Sequence, residues 1–97
     1  MKPSEALNTR RDTIRQIVSK YPLDHPRIFG SVSRGEDTEN SDLDLLVDPI
    51  PGRTTLFTLV ELKREIEELT GIRVDVATPM ALRDRFRDRV LAEAKPL

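Results

Sequence analysis

Residues 29–35 read FGSVSRG, and residues 41–47 read SDLDLLV. In the first stretch, a glycine and a serine follow an apolar segment and predict a sharp turn. In the second stretch, two aspartates stand two positions apart in a run that is otherwise typical of a buried strand. Because aspartate disfavours strands, its repetition here indicates a role other than folding.

Side chains two positions apart in a strand lie on the same face, so Asp42 and Asp44 are expected to point the same way. A third aspartate, Asp75, interrupts the alternating apolar residues of segment 72–77, which predicts another strand. If these strands are neighbours, the three carboxylates converge. Two such charges about 4 Å apart repel by about 4 kcal/mol at an effective dielectric constant of about 20.

A bound cation would relieve this repulsion. The chain has no cysteine and one histidine, so the available ligands are hard oxygens, which favour Mg²⁺ or Mn²⁺. A site with two such metals serves phosphoryl or nucleotidyl transfer. The plainer interpretation is a solvated edge strand whose aspartates face outward.

The glycine-serine turn has the features of a phosphate-binding loop. Gly30 lets the backbone approach a ligand closely, the amides after it lie at a predicted helix start that attracts anions, and Ser31 adds a hydroxyl donor. Arg34 either adds positive charge to this site or pairs with a neighbouring carboxylate, Glu36 or Asp37. Other phosphate motifs fit poorly, because a P-loop requires Lys-Ser/Thr where these two acids stand.

Composition narrows the class of protein. The chain has 97 residues, of which 37% are hydrophobic and 34% charged, with a net charge of −1. We expect a single soluble domain over residues 1–97, and the charge balance argues against a stable nucleic-acid partner. No segment approaches the roughly 20 apolar residues of a membrane span, and the N-terminus lacks a signal-peptide core. These features predict a cytoplasmic protein without a membrane partner.

The chain is predicted to alternate helices and strands around a small mixed α+β sheet of about three strands covered by helices. Helices are expected at residues 4–20, from a cap at Thr54 to Thr70, and at residues 79–94. Strands are expected at residues 27–29, 43–47 and 72–77. The last helix is predicted to bury its apolar residues, namely Leu82, Phe86, Val90 and Leu91.

Together these motifs resemble the minimal nucleotidyltransferase family of the DNA polymerase β superfamily. The signature of that family is a Gly-Ser turn, a spacer, Asp-x-Asp on a strand, and a third aspartate on a later strand. The resemblance extends from about residue 27 to residue 97. A small departure is Ser33, where the family often has alanine.

The resemblance implies a role for each matching residue and a fold of the nucleotidyltransferase type. Asp42 and Asp44 would hold both metals, and Asp75 would complete the site as a ligand or base. Gly30 and Ser31 would bind the triphosphate of ATP.

Proteins of this kind resemble the antitoxin half of a toxin–antitoxin pair, whose partner is a helical HEPN protein, typically a ribonuclease. The implied activity is transfer of AMP from ATP to a tyrosine of that partner, with Mg²⁺ or Mn²⁺ as cofactor. One alternative is a non-catalytic antitoxin that masks its partner by direct contact. Another is a transferase acting on nucleic acid, which the absence of a basic tail disfavours.

Overall fold

The computed structural model describes all residues from Met1 to Leu97 and contains a four-stranded sheet. The strands lie in the order β3-β2-β1-β4. Strand β2 runs antiparallel to β1 and parallel to β3, and β4 is antiparallel to β1 at the far edge. The strands comprise β1 (Leu23–Phe29), β2 (Leu43–Pro49), β3 (Val74–Ala77) and β4 (Lys95–Pro96).

Two long helices provide most of the core that covers one face of the sheet. They are α1 (Pro3–Ser19) and α3 (Leu56–Thr70), which pack against each other and against the strands. The buried side chains of β2 on this face alternate along the strand: Leu43, Leu45 and Val47. Asp44 therefore lies on the opposite face, as the alternation predicts. Leu46 shares that opposite face but is also buried, where β2 contacts a short 3-10 turn at Pro79–Ala81.

Strand β1 is longer than the predicted segment 27–29, because Pro26, which predicts a turn, is accommodated within the strand. The pairing of β1 with β2 shifts register between Asp24 and Arg27, so the proline lies in a bulge where its missing N–H costs no ladder bond. Its carbonyl accepts a hydrogen bond from the backbone N–H of Leu97 at 3.0 Å. His25 has a φ of +50° in the same bulge.

Helix α3 begins one residue later than a cap at Thr54 would place it. Thr55 is the N-cap, and its hydroxyl accepts a hydrogen bond from the backbone N–H of Thr58 at 3.3 Å. The Thr54 hydroxyl instead accepts from the N–H of Ile50 and ties the preceding loop. The helix ends where expected, with Gly71 in the left-handed conformation at a φ of +72°.

The single C-terminal helix predicted for residues 79–94 is wrong. The 3-10 turn is followed by an extended break at Leu82 and Arg83, and only then by helix α4 (Asp84–Glu93). Arg87 holds this break, because its guanidinium donates to the carbonyls of Pro79 and Leu82 at 2.8 and 2.9 Å. No residue of α4 is fully buried, and the exposed fractions of Phe86 (43%) and Leu91 (39%) contradict the expected packing.

The polar loop between the turn and β2 contributes a buried carboxylate to the start of α1. Asp37 accepts a hydrogen bond from the backbone N–H of Ser4 at 2.9 Å. Burial alone would raise the pKa of Asp37, but the hydrogen bonds from Ser4 and from the Asp37 backbone, together with the charge of Lys2, outweigh it and lower that pKa. None of the helices has the length and apolar character needed to span a bilayer.

Candidate active site

The glycine-serine turn begins where β1 ends, directly beside β2, the strand that carries Asp44. Phe29 pairs with Asp44 of β2, and the chain then turns at Gly30 into the short helix α2 (Gly30–Arg34). Gly30 has a φ of +72°, and a β-carbon at this position would overlap Oδ2 of Asp44 and lie 3.1 Å from its Cγ. Both the backbone conformation and this contact therefore require glycine.

The rest of α2 closes the turn. Ser31 follows the glycine and is partly exposed. Ser33 is buried, and its hydroxyl donates to the carbonyl of Gly30 at 3.0 Å. The serine that departs from the family pattern therefore stabilises the turn by a hydrogen bond that alanine could not form.

The strands bring two of the three predicted aspartates side by side. Asp44 is the second residue of β2, and its direct partner in the parallel strand β3 is Asp75. Asp42 immediately precedes β2 and follows the same alternation as Asp44. The two strands are therefore neighbours, which is the condition on which the predicted convergence of carboxylates depends.

The surroundings of Asp44 disfavour its ionised form. Burial, followed by the charges of Asp75 and Asp42, raises the pKa of Asp44 to about 6. A carboxyl group next to two further carboxylates, without enough positive charge to balance them, is the environment expected before a cation binds.

Asp42 has a partner that the sequence did not predict. Its Oδ1 lies 3.1 Å from Nε of Arg73, just before β3, yet this oxygen is buried and accepts no hydrogen bond. Asp75 is exposed. A buried carboxylate oxygen without a hydrogen bond is unusual in a folded protein, and it leaves Asp42 with a lone pair available to a ligand.

These residues suit a hard divalent cation in their chemistry, although the three carboxylates do not meet at one point. No group of three His, Cys, Asp or Glu side chains lies close enough together to hold a metal ion. The expected convergence is thus limited to the backbone pairing of Asp44 with Asp75 and to the charges that act on Asp44. A set of carboxylate oxygens on one sheet face, one of them unsatisfied, fits Mg²⁺ or Mn²⁺.

Arg34, expected to bind phosphate or to pair with a nearby acid, forms two ion pairs. Its Nε lies 3.0 Å from Oε1 of Glu36, and its Nη1 lies 3.1 Å from Oε1 of Glu93. Glu93, at the end of α4, also accepts a hydrogen bond from the backbone N–H of Gly30 at 3.2 Å. These two carboxylates raise the pKa of Arg34, with the hydrogen bond from Arg34 to Glu93 the largest cause.

Glu93 and Arg73 are site residues that sequence reasoning missed. Arg73 stands two positions before Asp75 in a strand-like segment, so the pairing of β3 with β2 could have suggested its contact with Asp42. No spacing relates Glu93 to residues 30–34. Only the packing of α4 against α2 brings it there.

Comparison with known proteins identifies the class of this site. Residues 11–97 match the family described as the nucleotidyltransferase domain. A candidate protein adenylyltransferase of Methanocaldococcus jannaschii is 40% identical over 88 residues, which are 91% of this chain and 94% of that protein. The protein adenylyltransferase MntA of Thermococcus cleftensis is 41% identical over 81 residues, or 81% of this chain and 79% of that protein.

Solved structures agree with the sequence relatives. A candidate minimal nucleotidyltransferase superposes with a TM-score of 0.84 at 44% identity and covers 97% of this chain and 95% of that one. A toxin–antitoxin structure with AMP-PNP shares the fold, with a TM-score of 0.74 at 21% identity, covering 88% of this chain and 69% of that chain.

The chain therefore belongs to the nucleotidyltransferase family, as a member of its minimal type. The fold class and the family expected from FGSVSRG and SDLDLLV are confirmed, and the protein is a nucleotidyltransferase enzyme.

Proposed function

We propose that this protein transfers AMP from ATP to a tyrosine hydroxyl of a HEPN-type toxin and thereby acts as its antitoxin. The observation that carries the proposal is the contact of the Gly30 turn with Asp44, which itself lies opposite Asp75. The turn follows the end of β1, and the two carboxylates lie beside it near the starts of β2 and β3. A turn that binds phosphate and a carboxylate pair are the two components that nucleotidyl transfer requires. The relative named protein adenylyltransferase MntA supports AMP as the transferred group and a protein as its acceptor.

In the proposed reaction, the acceptor oxygen attacks the α-phosphorus of ATP, the bond to the β-phosphate oxygen breaks, and pyrophosphate leaves. Backbone amides at Gly30 and Ser31 bind the phosphates, and Arg34 neutralises their charge once it is released from its carboxylate partners. In this proposal Asp75, whose exposure at the surface leaves it accessible, binds a cation or takes the proton of the attacking hydroxyl.

Asp42 and Asp44 are the proposed cation ligands, together with Asp75. The cation they would hold, Mg²⁺ or Mn²⁺, would supply a lower pKa for the attacking hydroxyl and positive charge for the leaving pyrophosphate. The unsatisfied Oδ1 of Asp42 and the raised pKa of Asp44 support this assignment. The raised pKa of Asp44 reflects its burial first and then the charges of Asp75 and Asp42, whereas Oδ1 of Asp42 faces the Arg73 guanidinium without a hydrogen bond.

The test is transfer of labelled AMP to a purified HEPN partner, followed by the intact mass of that partner. Asp42→Asn with Asp44→Asn is expected to abolish transfer. A charge-matched control, Asp24→Asn with Asp88→Asn, alters two exposed carboxylates of β1 and α4 and is expected to retain it. Transfer that persists in the first double variant would overturn the proposed mechanism.

A second candidate function is an antitoxin that masks its partner without chemistry. Its support is an apolar patch at the start of α3, where Leu56, Phe57 and Val60 are 76%, 80% and 52% exposed. Coexpression with the toxin separates the two functions. A masking antitoxin still neutralises the toxin after both aspartates are replaced, whereas an enzyme that acts by AMP transfer does not.

A further inference from the structure

The turn proposed to bind phosphate is already in contact with an anionic group of this chain. One carboxylate oxygen of Glu93, Oε1, accepts the N–H of Gly30 at 3.2 Å and lies 3.1 Å from Nη1 of Arg34. The other oxygen, Oε2, accepts from the same Arg34 nitrogen at 3.2 Å. The Glu93 side chain is only 18% exposed, so this contact is a packed one.

A backbone N–H and a guanidinium are the donors that proteins use for phosphate oxygens. Glu93 presents Oε1 to both donors and Oε2 to Arg34. Its charge also adds to that around Asp44, where it is one of the groups that raise the pKa of Asp44. Two carboxylates from different elements, Asp44 of β2 and Glu93 of α4, therefore contact a turn whose proposed ligand is itself anionic.

The helix that carries Glu93 is held loosely. Helix α4 packs mainly against α2 and the 3-10 turn, and none of its residues is fully buried. Segments with few buried apolar contacts open at low free-energy cost compared with the core of a domain. Helix α4 can therefore shift away from α2, whereas the residues after it stay anchored, because β4 pairs with β1 and Leu97 is buried in the core.

We propose that Glu93 occupies the position of a nucleotide phosphate group and that ATP must displace it from Gly30 and Arg34 in order to bind. Glu93 is then a residue that lowers nucleotide affinity, and displacement of α4 accompanies occupancy of the turn. Since this role rests on the proposed function, in which the turn binds the triphosphate, the test separates the two.

Calorimetric titration with ATP in the presence of MgCl₂ compares the wild type with Glu93→Gln. The variant keeps the size of the side chain and removes its charge. We expect it to bind ATP about 3- to 10-fold more tightly, as release of one competing charge-assisted contact implies. The gain should also appear with inorganic triphosphate and be absent with adenosine, because the competition is at the phosphates.

Glu36→Gln is the matched control. Glu36 also pairs with Arg34, at 3.0 Å, but no hydrogen bond joins it to Gly30, and it lies on the exposed loop. Its effect on ATP affinity should be smaller than that of Glu93→Gln. Equal effects of the two variants would overturn the proposal that ATP displaces Glu93, because loss of any negative charge near Arg34 would then have the same effect.

Hydrogen exchange of the wild type gives a second measurement that does not depend on a variant. Amides of residues 84–93 should exchange faster when ATP is added. Slower exchange would overturn the role of Glu93 alone. So would an ATP affinity that Glu93→Gln leaves unchanged or lowers, provided that the wild type still binds ATP. Failure of the wild type and of Glu93→Gln to bind ATP would overturn the proposed function and this role together.

Discussion

The α-carbon of Gly30 faces the carboxylate of Asp44 so closely that a β-carbon at residue 30 would overlap Oδ2 of the aspartate. The turn and the carboxylate thus pack directly against each other, although they lie in different elements. Any side chain at position 30 would displace the carboxylate of Asp44, whose partner across the strands is Asp75.

Gly30→Ala is expected to reduce AMP transfer by about 100-fold, because displacement of a reacting group by about 1 Å has an effect of that size. It should also destabilise the fold, since a left-handed conformation costs a residue with a β-carbon about 1–2 kcal/mol. Gly35→Ala is the control. Gly35 has nearly the same φ, +71°, but no atom lies within 4 Å of a β-carbon built there.

The two variants should lose similar stability from the backbone, measured by urea unfolding, and differ in transfer activity. Nearly wild-type transfer by Gly30→Ala would show that the contact with Asp44 does not position the site.

Asp44→Asn should alter how stability depends on pH. The pKa of Asp44 is raised from 3.8 to about 6 in the folded protein, so folding takes up a proton between these values. The contribution of Asp44 to wild-type stability therefore falls as pH rises from about 4 to 6. Asp44→Asn lacks this loss. Relative to the wild type, its free energy of unfolding should therefore increase by about 1–2 kcal/mol between pH 4 and 8, after allowance for solvent screening.

Urea unfolding at several pH values, in the presence of a chelator, measures this divergence. Asp88→Asn, an exposed carboxylate on α4, should give a stability difference from the wild type that stays constant over the same range. Curves for Asp44→Asn and wild type that run parallel would contradict the raised pKa.

Arg73→Gln should make the site easier for Mg²⁺ to enter. The guanidinium of Arg73 lies 3.1 Å from Oδ1 of Asp42 and competes with a cation for that oxygen. Because exposed ion pairs contribute at most about 1 kcal/mol, the Mg²⁺ concentration for half-maximal transfer should fall by about 2- to 5-fold.

Arg64→Gln is suited as its control, since Arg64 pairs with Glu61 on the surface of α3 at 2.7 Å. That variant should leave the Mg²⁺ dependence unchanged. A higher Mg²⁺ requirement in Arg73→Gln would mean that Arg73 supports the site instead of competing within it.

The local parts of the fold could be predicted from sequence because they depend on neighbouring residues. Alternation defined the faces of β2, the spacing of Leu62 and Ile66 defined the buried side of α3, and Gly71 marked its end. The turn and the Asp-x-Asp pair could be predicted for the same reason.

Features that depend on distant contacts were not predictable. The long β1 requires a bulge that accommodates Pro26, and the broken C-terminal helix requires Arg87 to bond to two carbonyls. The contact of Glu93 with the turn depends on helix packing, which no local spacing encodes.

In strand β3, two consecutive residues face the core and the proposed active site, respectively. Val74 is buried against the core and Asp75, the next residue, faces the other way beside Asp44. A slip of one position would exchange their faces, so hydrophobic packing at residue 74 sets the orientation of the carboxylate at residue 75. Random mutagenesis scored only for loss of AMP transfer should therefore recover interior substitutions at Val74 alongside changes to the aspartates themselves.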